Sequence, residues 1–103
     1  MYIVTNPATG RQESAYPTAT DAQLEQILGE SAAAASVLAG IGIERRTAVL
    51  RRIADLHEQR RDDLAARATA ETGKPIRQAR GEIGLAAAIY AYYAEHAERF
   101  LAD

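Results

Sequence analysis

A mostly α-helical chain, opened by one short β-hairpin and continued by three helices, is the fold the sequence predicts. Three observations predict it. From residue 20 onward apolar residues recur three and four positions apart, the period of one helix face. Before residue 18 strand-forming residues flank a single turn sequence, Asn6-Pro7-Ala8-Thr9-Gly10. Gly40, Gly42 and the stretch Glu71-Thr72-Gly73-Lys74-Pro75 interrupt the helical period, and each interruption is glycine or proline chemistry.

Residues 1–17 make the hairpin. Tyr2, Ile3, Val4 and Thr5 favour an extended backbone, and Asn6-Pro7 opens a type I turn because proline fixes φ near −65°. Gly10 takes the left-handed conformation and restarts the chain through a bulge, so the return strand runs from Arg11 to Tyr16. The first helix spans 20–39. Thr20 and Gln23 have the spacing of a capping box, and Asp21 suits the positive end of the helix dipole. Leu24, Ile27, Leu28, Ala35 and Leu38 follow on one face.

The second helix is expected over 44–72, with Val49, Leu50, Ile53, Leu56, Leu64 and Ala68 as its apolar stripe. Arg46 and His57 fall inside that stripe. Arg46 is expected to pair with a carboxylate or cap carbonyls along its alkyl stem, and His57 to be a satisfied core or interface residue. The third helix is expected over 75–101. Ile76, Ala79, Ile83, Ala86, Tyr90, Tyr93, Ala97 and Phe100 repeat as a heptad-like seam. Gly84, Ala87, Ala88, Ala91 and Ala94 form a second surface of small residues. A helix apolar on more than one face belongs between other elements, so residues 1–103 read as a single, incomplete domain.

The Gly-Lys pair at 73–74 invites comparison with a phosphate-binding loop, Gly-x-x-x-x-Gly-Lys followed by Ser or Thr. The first glycine position holds Ala68 and the hydroxyl position holds Pro75, and a helical pattern precedes the pair instead of a strand. The stretch is punctuation: Gly73 caps one helix and Pro75 opens the next, where its missing N–H costs nothing.

Composition narrows the function classes. At 103 residues the chain buries about 60–70% of its unfolded surface, which limits its independent stability. A net charge of −2 gives no footprint for nucleic acid. The absence of cysteine removes disulfides, a thiol nucleophile and thiolate metal sites from these residues. No stretch approaches the ~20 apolar residues of a membrane span, and the first ten residues carry no secretory pattern, so the expected location is cytoplasmic. Glu95-His96-x-Glu98 has no further ligand at matching spacing and is expected to be a solvated face, and Tyr90, Tyr92, Tyr93 and Phe100 to be core.

Several stretches in order carry a family likeness: Asn-Pro-Ala-Thr-Gly after a first strand, a helix opened by Thr-x-x-Gln, then Glu-Arg-Arg-Thr-Ala-Val-Leu-Arg-Arg-Ile-Ala-Asp-Leu, Glu-Thr-Gly-Lys-Pro, and Tyr92-Tyr93-Ala94-Glu95-x-Ala97-Glu98. Together they resemble the N-terminal segment of the NAD(P)-dependent aldehyde dehydrogenase superfamily, most of all its succinate-semialdehyde dehydrogenase branch. The resemblance implies the N-terminal part of an α/β Rossmann-type cofactor domain. It also implies NAD or NADP as the cofactor of the full-length member, with none bound by this chain alone. The family's cysteine nucleophile, glutamate base, oxyanion-hole asparagine and Gly-rich cofactor turn match no residue here, so the segment is expected to be a scaffold without activity of its own. Its partner is then the remainder of an aldehyde dehydrogenase chain. The other reading is a stand-alone helical module that self-associates through the third helix, and neither reading involves nucleic acid or a membrane. Finally, the resemblance implies a structural monovalent cation site. The acidic residue before Gly-Lys-Pro and the carbonyls before the Asn-Pro turn correspond to Glu71, Val4 and Thr5, with a further ligand from beyond Asp103.

Overall fold

The computed structural model describes residues 1–103 as two strands, β1 (Tyr2–Thr5) and β2 (Gln12–Tyr16), and four helices, α1 (Asp21–Gly40), α2 (Ile43–Gln59), α3 (Arg61–Thr72) and α4 (Ile76–Phe100). The strands pair antiparallel, with Tyr2 opposite Tyr16 and Val4 opposite Ser14. Register slips between Val4 and Thr5, because Thr5 pairs with Gln12 and leaves Glu13 as the extra residue of a bulge. Asn6 organises the turn. Its carbonyl accepts from Gly10 N–H at 2.8 Å, and its side-chain oxygen accepts from Ala8 N–H at 2.9 Å.

Thr20 caps α1 reciprocally. Its hydroxyl accepts from Gln23 N–H at 3.2 Å, and the Gln23 side chain accepts from Thr20 N–H at 2.9 Å. The chain leaves α1 through Ile41 and Gly42. Gly42 has φ 82° and ψ 161°, a combination open to glycine alone, and it bends the chain by 116° into α2.

Four helices, not three, follow the hairpin. The helix expected over 44–72 is interrupted at Arg60, whose φ of −104° and ψ of 17° lie outside helical values. No glycine or proline marks this break. The run Glu58-Gln59-Arg60-Arg61-Asp62-Asp63 carries no apolar residue, so nothing on the stripe between His57 and Leu64 holds a continuous helix to the core. Asp62 and Asp63 then sit in the first turn of α3, where acids interact favourably with free N–H groups. Side chains lock the break. Arg61 Nε donates to the Arg80 carbonyl at 2.9 Å, Arg61 meets Glu58 at 3.5 Å, and Asp62 pairs with Arg80.

α4 lies along α2 and α3. The five buried residues of the chain are all alanines: Ala54, Ala65, Ala79, Ala87 and Ala94. Small side chains let the helix axes approach closely. Both candidate faces of α4 contribute to the contact: Ala79 of the seam and Ala87 and Ala94 of the small-residue face are buried, and Ile83, Ala86 and Ala97 of the seam are half-buried. Within the aromatic seam Tyr93 is 50% and Phe100 48% exposed. The reason is steric: Ala79, Ala87 and Ala94 accept a neighbouring helix at short range, and the large rings of Tyr93 and Phe100 do not. Arg46 is half-buried beside Glu98 and Asp103 but joins none of the ion pairs, which are Glu58–Arg61, Asp62–Arg80, Lys74–Glu82 and Glu95–His96. Neither the expected carboxylate pairing nor a carbonyl cap is formed, and Arg46 lies beside Ile43 and Leu101 where the start of α2 meets the end of α4.

α1 packs on nothing. Every one of its residues is exposed, including Leu24, Ile27, Leu28, Val37 and Leu38. The radius of gyration is 17.8 Å, against about 13 Å for a compact chain of this length. The exposed surface is 8020 Å², where a self-contained monomer of 11.1 kDa exposes about 5,700 Å².

Candidate functional site

The corner between the hairpin turn and the end of α3 is the one place where the strands meet the helices at a sequence-predicted site. Gly73 ends α3 in the left-handed conformation, φ 75° and ψ 7°, and its N–H donates to the Thr69 carbonyl at 2.9 Å. Thr72 Oγ1 donates back to the Ala68 carbonyl at 2.7 Å, and Lys74 pairs with Glu82 in the second turn of α4. Pro7 of the turn rests directly on Gly73, where a Cβ would lie 2.8 Å from Pro7 Cγ. Pro75 stands immediately before α4. The Glu-Thr-Gly-Lys-Pro stretch therefore ends one helix, starts the next and seats the hairpin.

Glu71 lines a groove between α3 and β2, together with Glu13, Ser14, Tyr16, Asp63 and Arg67. It is exposed and makes neither a hydrogen bond nor an ion pair. Ser14, which shares this groove with Glu71, is the strand partner of Val4. No three His, Cys, Asp or Glu side chains converge as a metal cluster. Glu13 and Asp63 next to Glu71 were not legible in the sequence. Their approach depends on the bulge at Glu13 and on the break at Arg60, and neither carries a local signal.

His57 is half-buried, and its Nδ1 lies 2.8 Å from the Ile53 carbonyl. Its ring stacks on Tyr90 of α4 at 5.2 Å, so it bridges α2 and α4 as a packed residue. Tyr92, Tyr93 and Phe100 form an exposed cluster near the end of α4 around the half-buried His96, with the Tyr92 and His96 rings 4.4 Å apart. Tyr92, Tyr93 and Phe100 were expected in the core, and they lie outside it because the alanines of α4 make its close contacts. Glu95 reaches His96 only at 4.0 Å, and Glu98 is exposed.

No catalytic constellation is present in this geometry, so comparison with known proteins decides what it belongs to. The profile of the aldehyde dehydrogenase family matches residues 1–103. The chain belongs to the aldehyde dehydrogenase family. It is similar to the NADP-dependent succinate-semialdehyde dehydrogenase of Deinococcus radiodurans, at 34% identity over 97% of this chain and 21% of that protein. It is also similar to the glutarate-semialdehyde dehydrogenase of Pseudomonas putida, at 36% identity over 97% of this chain and 21% of that protein. The crystal structure of succinic semialdehyde dehydrogenase from Streptococcus pyogenes in complex with NADP+ superposes with a TM-score of 0.91 at 29% identity, covering 98% of this chain and 22% of that one. The chain thus spans about a fifth of the length of the aldehyde dehydrogenases it matches. No single helix is long and apolar enough to cross a membrane.

A dinucleotide cradle needs a strand, a Gly-rich turn and a helix N-terminus in succession. Here β2 passes to α1 through Pro17-Thr18-Ala19-Thr20, without glycine, and Gly73 follows a helix instead of a strand.

Proposed function

We propose that this chain is the N-terminal scaffold segment of a cytoplasmic NAD(P)-dependent aldehyde dehydrogenase that oxidises a semialdehyde such as succinate semialdehyde to the dicarboxylate. By itself it is catalytically inert. The observation that supports this reading most directly is α1, a capped helix of 20 residues without a packing partner inside the chain. A helix of that length gains most of its stability from tertiary burial, so its apolar residues call for structure that these residues do not supply. A chimera tests the reading. The corresponding fifth of the Deinococcus enzyme is replaced by residues 1–103, and NADP reduction by succinate semialdehyde is followed. Turnover near that of the parent is expected. A folded chimera without turnover sinks the proposal.

We also propose that Glu71, with the carbonyls of Val4 and Thr5, holds a structural sodium or potassium ion that ties the hairpin to the end of α3. Hard monovalent cations take oxygen ligands, and a helix C-terminus offers spare carbonyls with negative dipole character. The unpaired carboxylate of Glu71 beside β2 supports this. In the chimera, potassium or sodium raises the melting temperature relative to choline, and Glu71→Gln removes the difference. Equal salt responses in both proteins rule the site out.

A further inference from the structure

We infer that Arg61 is a positioning residue: its guanidinium, seated on Gly84 of α4, sets the angle between α2 and α3 and thereby places the hairpin seat at the far end of α3. Every contact involved lies within residues 1–103, and neither the catalytic reading nor the cation site is needed for it.

The break at Arg60 is not the conformation that local chemistry favours. Glu58, Gln59, Arg60 and Arg61 are good helix formers. Arg60 stands at the N-cap of α3 and gives no side-chain hydrogen bond to the free N–H groups of the first turn. A continuous helix through residue 60 would satisfy those groups from its own backbone. A contact from outside the run must therefore favour the broken form.

Arg61 supplies that contact. Its Nε donates to the Arg80 carbonyl at 2.9 Å, in the second turn of α4. Its guanidinium fills the space over Gly84, where a Cβ would lie 2.7 Å from Cζ and 3.3 Å from Nε. The flanking ion pairs, Glu58–Arg61 and Asp62–Arg80, join largely exposed side chains and contribute little. The bond and the glycine seat are what hold the angle. Lysine has no donor at the Nε position and no planar fork, so it cannot stand in for arginine here.

α3 is the lever. Its 12 residues span about 18 Å, so a tilt of about 10° at Arg60 carries its last turn roughly 3 Å. At that end Pro7 rests on Gly73 with no space between them, and a shift of this size ends their van der Waals contact. A two-stranded hairpin without packing is marginal in water, so loss of the seat shows as opening of β1 and β2. The five buried alanines give the helical body contacts of its own, and it stays folded while the angle changes.

Deuterium exchange in the chimera described above tests this, followed in residues 1–17 and, for reference, around Ala87. Arg61→Ala and Arg61→Lys speed exchange in residues 1–17 several-fold and leave Ala87 as it was. Gly84→Ala, which displaces the guanidinium, does the same with little change in melting temperature, a separation that a merely stabilising Arg61 would not produce. Gly73→Ala opens the hairpin directly, and adding Arg61→Ala to it has no further effect, because the seat is already lost. Exchange does not require turnover, so a folded chimera without activity still reports on Arg61. Unchanged hairpin exchange in Arg61→Ala or Gly84→Ala overturns the inference, as does full replacement by lysine. An equal rise around Ala87 also overturns it, and so does an Arg61→Ala effect that persists undiminished beside Gly73→Ala.

Discussion

Gly73 and Pro7 are in contact across 66 residues of sequence, so closely that a side chain on Gly73 would meet the proline ring at 2.8 Å. This contact seats the hairpin on the helices. It combines two demands on one position, a left-handed backbone at φ 75° and the absence of a Cβ.

Gly73→Ala therefore has two costs. The left-handed conformation alone costs a non-glycine residue about 1–3 kcal/mol, and Pro7 must also move. A lower melting temperature is expected, with resonance or label mobility increasing in residues 1–17. An unchanged melting temperature would mean that the hairpin does not rest on α3 in solution.

Gly84 carries a different constraint. Its backbone is ordinary helix, but a Cβ there collides with the Arg61 guanidinium. Alanine normally improves a helix by about 1 kcal/mol over glycine, while displacing Arg61 forfeits its bond to the Arg80 carbonyl, worth about 1 kcal/mol. Gly84→Ala should be close to neutral in the wild-type chain and stabilising by about 1 kcal/mol in an Arg61→Ala background. Chemical denaturation of the four proteins measures the coupling, and simple additivity would refute the contact.

Tyr90 meets His57 through its ring, and its hydroxyl makes no hydrogen bond. Tyr90→Phe should change stability by less than about 0.5 kcal/mol, and Tyr90→Ala should cost about 1–2 kcal/mol. Equal losses in both would point to the hydroxyl instead of the ring.

Catalysis offers a fourth expectation. No residue of the chain supplies a thiolate, and no turn in it cradles a pyrophosphate. The purified chain should reduce neither NAD nor NADP with succinate semialdehyde, and should bind neither at micromolar concentration. Turnover above a protein-free control, or a micromolar calorimetric titration, would contradict this.

The sequence made legible what depends on a few adjacent residues. The Thr20–Gln23 box, the Asn6 turn and the Gly73 cap each satisfy backbone groups within five positions, so local chemistry decides them. The break at Arg60 escaped because nothing local forces it. It arises where the apolar stripe lapses, and it is held by Arg80, nineteen residues after Arg61. The packing face of α4 escaped for a related reason. Residues of two apolar faces pack together, and only the fit against α2 and α3 buries Ala79, Ala87 and Ala94 while leaving Tyr93 and Phe100 exposed. At the candidate site, Glu71 is a local feature of a helix end, while its neighbours Glu13 and Asp63 come from elements brought together by the fold.

α1 is held at both ends, by the hairpin link and by Gly42, yet is stabilised by no side-chain burial along its length. Its opening need not disturb the α2–α3–α4 body, so the chain carries two units of different local stability. Amide hydrogens of α1 will exchange with solvent deuterium well before those of α4. Their protection will rise once α1 lies within the chimera, while protection around Ala87 will change little. Exchange measured amide by amide thus separates the unit that closes on itself from the unit that waits for its surroundings.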